Sequence, residues 1–263
     1  MTSCAHLLDA VDPEAHFVQL YGSDDRLLTA NVARFMAEGL RRGDGLIAIA
    51  SPEHGGSVAR RLREERGYSK AVLEGRLVFL DAQTTLDRLT VDGLPDPVLF
   101  GNVIGEAFKE VESRAGRTDV RAFGEMVGVL WKAGQYAAAV QLEKLWNSLL
   151  NSSNIRLFCA YPIDVFGEEF QVGKVDSLLC AHTHLLPVDE TLESALNRAM
   201  DEVLGPRVDG LRALIKGNPR PAWGEVPRSE AVILWLRNNL PGSANEILRL
   251  ARQYYELSGS QTV

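Results

Sequence analysis

Residues 16–51 read HFVQLYGSDDRLLTANVARFMAEGLRRGDGLIAIAS, and the order of patterns in this stretch decides the fold. The segment 16–21 is rich in strand-forming residues, and the glycine and polar residues 22–25 end it. Apolar residues then recur at helical spacing from Leu28 to Leu40, before a second short run that is apolar throughout. A strand of that kind is typical of a parallel sheet covered by helices on both faces. The stretch therefore predicts a strand–helix–strand unit of an α/β fold.

The alternation of strands and helices continues to about residue 188. Further strands are predicted at 77–80, 120–124 and 155–160, and further helices at about 53–66, 97–115 and 127–151, the last broken near Gly134. Residues 83–96 show a mixed pattern, and DGLPDP (92–97) indicates a loop. We therefore predict a three-layer α/β domain with a mostly parallel sheet over residues 13–188.

The segment 189–263 changes character and is predicted to be a helical C-terminal extension. Helices are expected at about 190–204, 206–216 and 228–257, with a break at Leu240-Pro241-Gly242 and a Pro/Gly-rich linker at 217–227. The last helical stretch has a helix–turn–helix outline, but its arginines form no basic recognition face. Its apolar positions predict packing against the domain or against a partner protein.

Composition and charge disfavour several classes of function. The net charge is −7, whereas a nucleic-acid binder needs a basic face, so nucleic acid is not the expected partner. No apolar run approaches the ~18 residues of a membrane-spanning helix, and Met1 to Ala15 lacks the basic end of a secretory signal. Three cysteines without a CxxC pair favour neither a disulfide framework nor a zinc knuckle. We expect a cytoplasmic protein without membrane association.

Polar and aromatic residues follow the predicted strands at their carboxyl ends, where open parallel sheets bind ligands. The alternative for each of them is that loops simply begin with polar residues. A tryptophan from the following long helix could wall such a pocket. We predict a ligand site formed by Tyr21, Ser23, Asp81, Glu125, Met126, Trp146 and Tyr161.

The first of these loops lacks the features that hold a triphosphate. A phosphate loop needs a second glycine and a lysine, but residues 22–29 read GSDDRLLT. Asp24 and Asp25 stand where phosphates would lie, and we interpret them as capping acids of the next helix. Arg26 is the one cation of this loop that could attract an anion. The pattern therefore argues against ATP hydrolysis.

Two acidic residues keep two interpretations each. Glu125 follows a strand and is either a carboxylate that orients a ligand or the N-cap of the next helix. Glu143 and Asn147 lie four residues apart beside a core stripe, so that they could bond each other in a structural role or face the pocket.

Catalytic and metal-binding patterns are not expected. Cys180, His182 and His184 are spaced by two, but no second ligand pair completes a metal site, so we predict structural histidines. The same is predicted for His16, and Cys159 is predicted to be an inert buried thiol. No G-x-S-x-G elbow is present. We therefore predict no catalytic residue, no metal site and no cofactor.

Several segments, taken in order, resemble one family. They are HFVQLYGSDDRLL (16–28), EGLRRGDGLIAIAS (38–51), GRLVFLDAQ (75–83), RAFGEMVGVLWKAGQYAAAVQLEKLWNSL (121–149), LFCAYP (157–162) and CAHTHLLP (180–187). Together they resemble the MEDS sensory domain, a family of methanogen and methylotroph regulators that includes a dichloromethane-responsive repressor. The positions that match its pattern are His16, Tyr21, Asp81, Gly124, Glu125, Met126, Trp131, Glu143, Trp146, Asn147, Cys159, Tyr161, Pro162 and His184.

The resemblance implies a fold and a role. The fold would be a RecA/KaiC-like domain that has lost its phosphate loop, and the role would be a non-catalytic input module for hydrocarbon derivatives or similar small molecules. In the family this module is usually joined to a DNA-binding, histidine-kinase or anti-sigma output domain, and no output domain of known type is recognisable after residue 188.

The sequence as a whole predicts a non-enzymatic regulatory protein. It would bind a small molecule beyond the strand ends and relay the signal to a regulatory partner protein, with a homodimer left open as the oligomeric state. Two alternatives remain. One is an atypical nucleotide-binding or ATP-hydrolysing protein, and the other is a docking scaffold without a small ligand.

Overall fold

The structure, a computed structural model, describes residues 7–8, 15–116, 119–188, 191–217 and 223–259. The chain forms two compact units, Met1–Pro162 and Ile163–Val263. The predicted domain start at residue 13, the predicted junction at residue 189 and residues 218–222 of the predicted linker lie outside the described residues. The predicted division of the chain at residue 188 stays a prediction.

A parallel sheet forms the centre of the first unit. The strands of this unit are β1 (His16–Leu20), β2 (Gly45–Ala50), β3 (Leu77–Asp81), β4 (Thr90–Val91), β5 (Leu94–Pro95), β6 (Val120–Gly124) and β7 (Ile155–Tyr161). Strands β3, β2, β6, β7 and β1 lie side by side in that order, and each neighbouring pair is parallel. The register places Val18 beside Cys159 and Ile49 beside Gly124. The predicted parallel sheet is confirmed.

Strands β4 and β5 form a small antiparallel hairpin that the sequence analysis did not predict. Asp92 and Gly93 connect them, and both have positive φ, 49° and 79°. An Asp-Gly pair with this backbone is a favoured two-residue hairpin turn. The stretch was interpreted as a loop because strands of two residues carry no readable alternation.

Eight helices of the described first unit connect these strands. They are α1 (Arg26–Arg42), α2 (Pro52–Leu62), α3 (Tyr68–Leu73), α4 (Ala82–Leu89), α5 (Pro97–Phe100), α6 (Glu106–Ala115), α7 (Met126–Lys132) and α8 (Tyr136–Leu150). A π-helical segment, Gly101–Gly105, joins α5 to α6 inside the region predicted as one helix. The predicted break near Gly134 is confirmed, and that glycine has a φ of 73° between α7 and α8.

Side chains alternate along each strand, so both faces of the sheet carry groups that must be buried. Helices cover both faces. On one face, the rings of Phe35 from α1 and Phe123 from β6 each pack edge to face on Phe158, at 5.7 and 5.8 Å. On the other face, Trp146 from α8 packs on Phe100 at a ring distance of 5.1 Å. These two cores confirm the predicted three-layer α/β architecture.

The second unit is mainly helical. It contains α9 (Asp176–Ala181), β8 (His184–Leu185), α10 (Thr191–Leu204), α11 (Val208–Gly217), α12 (Arg228–Asn239) and α13 (Pro241–Gly259). Helix α13 packs along α10 and buries Ile247, Leu248 and Ala251. The break between α12 and α13 falls at Leu240, as predicted, and the helical C-terminal extension is confirmed. In the described parts of both units, no helix has the length and apolar character needed to cross a membrane.

Candidate functional site

A buried carboxylate stands at the carboxyl end of the central strand β6. Glu125 follows Gly124 directly, the residue is 4% exposed, and its backbone N–H donates to the Ile49 carbonyl at 2.9 Å. The backbone N–H of Ser51, just past the end of β2, donates to Glu125 Oε2 at 2.7 Å. The two neighbouring strand ends therefore fix this carboxylate in place.

His54 in the first turn of α2 lies between two carboxylates. Its Nδ1 is 2.7 Å from Glu125 Oε1, and its Nε2 is 3.0 Å from Asp25 Oδ2 in the loop after β1. Ser51 caps α2 by accepting the His54 backbone N–H at 3.4 Å, which places the ring beside the strand ends. The edge of Tyr21 meets the imidazole at a ring distance of 5.5 Å. We call Tyr21, Asp25, Ser51, His54 and Glu125 the strand-end network.

The electrostatics of the strand-end network favour a charged imidazole. The hydrogen bond to Glu125 raises the pKa of His54, and the charges of Glu125 and Asp25 add to this effect against the cost of burial. Burial alone would raise the pKa of Glu125, but the bonds from His54 and Ser51 bring it below its usual value. Burial and the neighbouring carboxylates raise the pKa of Tyr21, so that its phenol stays neutral. The two carboxylates therefore favour the protonated form of the His54 imidazole between them.

The family model of MEDS, the methanogen/methylotroph, DcmR sensory domain, matches residues 15–183. The chain belongs to the MEDS family. All five residues of the strand-end network lie within the matched MEDS range, and membership supports a signal-sensing role. No curated protein matches the chain.

The MEDS fold brings together two of the predicted site residues, Tyr21 and Glu125. Sequence reasoning missed His54 as a member of the site and assigned Asp25 to capping. The available signal was the position of His54 three residues after the strand-ending Ser51, which places it in the first turn of a helix that starts at the sheet edge. That signal gives no partner, because Glu125 is 71 residues further along the chain.

Two side-chain caps considered for the MEDS loop residues are not formed. Glu125 occupies the N-cap position of α7, but its side chain makes no cap hydrogen bond because it bonds to Ser51 and His54 instead. Asp25 stands at the N-cap position of α1 and likewise makes no side-chain cap bond, since its carboxylate accepts from His54. Asp24 does accept the Arg26 backbone N–H, at 3.0 Å. Arg26 is paired with Asp24 at 2.6 Å, so its charge is already balanced.

The remaining predicted site residues of this MEDS domain lie in other surroundings. Ser23 is exposed, whereas Met126 is fully buried at the start of α7. Asp81 caps α4 by accepting the Thr84 backbone N–H at 2.7 Å, and this bond lowers the pKa of its carboxyl group. Asp81 therefore has a local capping role, and Met126 contributes to the core.

Tyr161 and Trp146 belong to the core on the α8 side of the MEDS sheet. The Tyr161 hydroxyl donates to Glu143 Oε1 at 2.6 Å, and burial raises the pKa of both groups. Trp146 is fully buried and also packs on Phe108, at a ring distance of 6.1 Å. Glu143 and Asn147, which were considered as a mutual pair, bond to Tyr161 and His16 respectively.

The candidate metal ligands of the second unit differ in burial. His182 is buried, and its Nδ1 donates to the Leu178 carbonyl at 2.8 Å. Burial lowers the pKa of His182 to about 4, so this imidazole is neutral. Cys180 is exposed, and His184 Nδ1 lies 2.9 Å from the Thr183 hydroxyl.

Proposed function

We propose that this protein is a non-enzymatic sensor that binds a small molecule at the strand-end network and relays the signal to a partner protein. The observation that carries the proposal is the position of His54 between Asp25 and Glu125, at the sheet edge where parallel folds bind ligands. The membership of the MEDS family supports the sensing role. A hydrocarbon derivative is the ligand class that the family favours.

The strand-end network combines a buried floor with an accessible rim. Glu125 and His54 are buried, whereas Tyr21, Asp25 and Ser51 are only partly buried. A small ligand could approach the Tyr21 ring and compete for the His54–Asp25 bond without exposing Glu125. An aromatic edge beside a few fixed polar groups suits a small, mainly apolar molecule with one polar atom.

The same features support a role without catalysis. The loop after β1 carries two aspartates, and each is already bonded to a basic side chain, Arg26 or His54. A triphosphate in this loop would meet both carboxylates, which is unfavourable by Coulomb's law. We therefore propose that the alternative of ATP hydrolysis does not apply.

The proposed relay depends on three chain segments that meet in the network. Asp25 precedes α1, His54 starts α2, and Glu125 precedes α7. A ligand that favours one arrangement of these helix starts would shift the population between two packings. We propose that a regulatory protein recognises the shifted form. We place both proteins in the cytoplasm, and this location rests only on the cysteine content, which suits a reducing compartment.

Titration with small hydrocarbon derivatives tests the proposal. We would measure heats of binding and the change in melting temperature for chlorinated methanes, short alcohols and methylated amines. Binding is expected in the wild type and lost in Tyr21→Ala and Glu125→Ala. The control Glu53→Gln, at an exposed position in the same turn as His54, should bind normally.

Two results would count against the proposal. If both site variants bind an identified ligand with wild-type affinity, the site is wrongly placed. Consumption of that ligand during incubation, or release of phosphate from ATP, would show an enzyme instead of a sensor.

A further inference from the structure

A second polar cluster lies inside the first unit, on the α8 side of the sheet. It consists of His16 at the start of β1, Glu143 in α8 and Cys159 in β7, which we call the core cluster. None of the three is more than 3% exposed. Their ligand atoms, one nitrogen, one oxygen and one sulfur, lie within 4.8 Å of one another.

The imidazole of His16 is held in the tautomer that a metal ligand needs. Its Nδ1 lies 3.0 Å from the amide oxygen of Asn147, and because this oxygen only accepts, Nδ1 carries the proton. The lone pair is therefore on Nε2, which lies 3.4 Å from Cys159 Sγ and 3.7 Å from Glu143 Oε2. A histidine whose second nitrogen is fixed by a hydrogen bond is the usual arrangement in metal sites.

The carboxylate of Glu143 is oriented by a neighbour of its own. The Tyr161 hydroxyl donates to Oε1 at 2.6 Å, while Oε2 is the oxygen nearest His16. Outer hydrogen bonds of this kind set the direction of ligand atoms. Asn147 and Tyr161 thus act as positioning residues for two of the three core-cluster donors.

The charge of the core cluster matches a divalent cation. When a cation binds, the Cys159 thiol and the Glu143 carboxyl group each release one proton to solvent, and His16 stays neutral. The resulting thiolate and carboxylate carry two negative charges, which a divalent ion cancels, so no net charge is left in the buried core.

The donor types select the kind of ion. Nitrogen and sulfur ligands suit zinc and similar borderline ions, whereas calcium and magnesium prefer sites made of oxygen. We propose that His16, Glu143 and Cys159 bind a zinc-type divalent ion in the core of the first unit. This site is separate from the strand-end network, and it replaces the sequence-based prediction of a structural histidine and an inert thiol.

Cobalt-substituted protein tests the site directly. We would express the full chain in minimal medium supplemented with cobalt, because a buried ion is taken up as the chain folds. The expected result is about one ion per chain, with the intense near-ultraviolet absorption of a Co²⁺–thiolate bond. X-ray absorption should show one sulfur at about 2.3 Å and lighter ligands at about 2.0–2.2 Å from a zinc ion.

Matched variants separate the core cluster from accidental binding. Cys159→Ser should lose the cobalt–thiolate band, whereas Cys180→Ser, which removes an exposed thiol, should keep it. Tyr161→Phe keeps the three donors but frees the carboxylate, so metal affinity should fall by about 10–100-fold.

One decisive result needs only the wild-type protein. Folded wild-type protein that contains neither zinc nor cobalt would overturn the proposal, and so would a thiolate band that persists in Cys159→Ser. Neither result bears on the strand-end network, because the ligand titration there is carried out without added metal.

Discussion

His54 shows how one side chain can organise a site that the sequence only partly reveals. It joins the loop after β1 to the end of β6 through two carboxylates, at 3.0 and 2.7 Å. Its positive charge is stabilised where a protonated imidazole would otherwise be costly to bury. The strand-end network is therefore sensitive to protonation, which leads to a prediction on stability.

The stability that His54 contributes should depend on pH. Its pKa is raised in the folded state, so its contribution is fully present below the unfolded value of about 6.5 and is lost as pH rises through the folded pKa. The pKa of Glu125 is lowered, so its contribution is present above its unfolded value of about 4.3 and is lost as pH falls through the folded pKa. Between these limits the ion pair is intact.

Urea unfolding from about pH 4 to pH 9 measures this effect, since the reference pKa values of both groups lie within that range. The free energy of unfolding of His54→Gln should differ most from the wild type between the two limits, and the difference should shrink above the folded pKa of His54. Glu53→Gln serves as the control and should follow the wild type. A difference that stays constant across the whole range would contradict the prediction.

At the residue scale, the sequence indicates the members of the strand-end network that directly follow a strand. Tyr21 and Glu125 were predicted because both come immediately after a strand. His54 and the core cluster were missed because their partners are distant in the chain: 71 residues separate His54 from Glu125, and 143 separate His16 from Cys159. The parallel register of the sheet brings such residues together. Spacing along the sequence does not reveal which strands are neighbours, so it could not predict these contacts.

At the scale of elements, helix α7 lies unusually close to strand β7. Gly128 in α7 has no side chain, and a Cβ placed there would lie 2.5 Å from the Ala160 carbonyl oxygen. That oxygen belongs to the backbone of a central strand and cannot move without disturbing the sheet. The close approach therefore requires glycine at this position.

Gly128→Ala should destabilise the first unit by about 1–3 kcal/mol, because the added methyl group pushes α7 away from β7. The matched control is Gly56→Ala in α2, where the added Cβ meets nothing within 4 Å. An exposed helical position gains up to about 1 kcal/mol from this change, because alanine favours the helix. Chemical denaturation measures both values. Equal effects of the two substitutions would show that the close contact is unimportant.

Helices and strands were predicted well where the apolar pattern was long or where the element was buried. The five strands of the first unit's parallel sheet are short, but each carries apolar side chains on both faces, so the sequence marks them clearly. The β4–β5 hairpin and the π-helical segment Gly101–Gly105 escaped prediction. Both depend on backbone geometry over a few residues. The spacing of apolar residues, on which the predictions rest, does not report such short segments.

At the scale of the whole molecule, charge makes DNA an unfavourable partner. The chain carries a net charge of −7, and one of the two arginines of α13 is paired with a carboxylate. Arg252 pairs with Asp164 at 2.5 Å, and Arg249 donates to Gln253 at 3.4 Å. Because phosphate neutralisation needs several free cations on one face, the pairing of Arg252 with a carboxylate weakens the case for DNA binding by the helix–turn–helix outline of α12 and α13.

We expect binding to duplex DNA to be weaker than the ~10⁻⁴–10⁻⁶ M of ordinary non-specific DNA binders at physiological salt. Fluorescence anisotropy with labelled duplexes measures this, and Arg249→Ala should behave as the wild type does. A salt-dependent signal in the wild type that disappears in Arg249→Ala would contradict the prediction and restore a DNA-binding role to the second unit.

The order of strands in the first unit has a consequence for biosynthesis. β6 and β7 lie between β2 and β1, although the ribosome makes them last of the five. Until Tyr161 has left the exit tunnel, β1 and the β2–β3 pair have apolar edges without the two strands that join them. Nascent chains in that state are natural substrates for chaperones. We expect a truncated product that ends before β7 to be degraded as misfolded protein instead of accumulating in the cell.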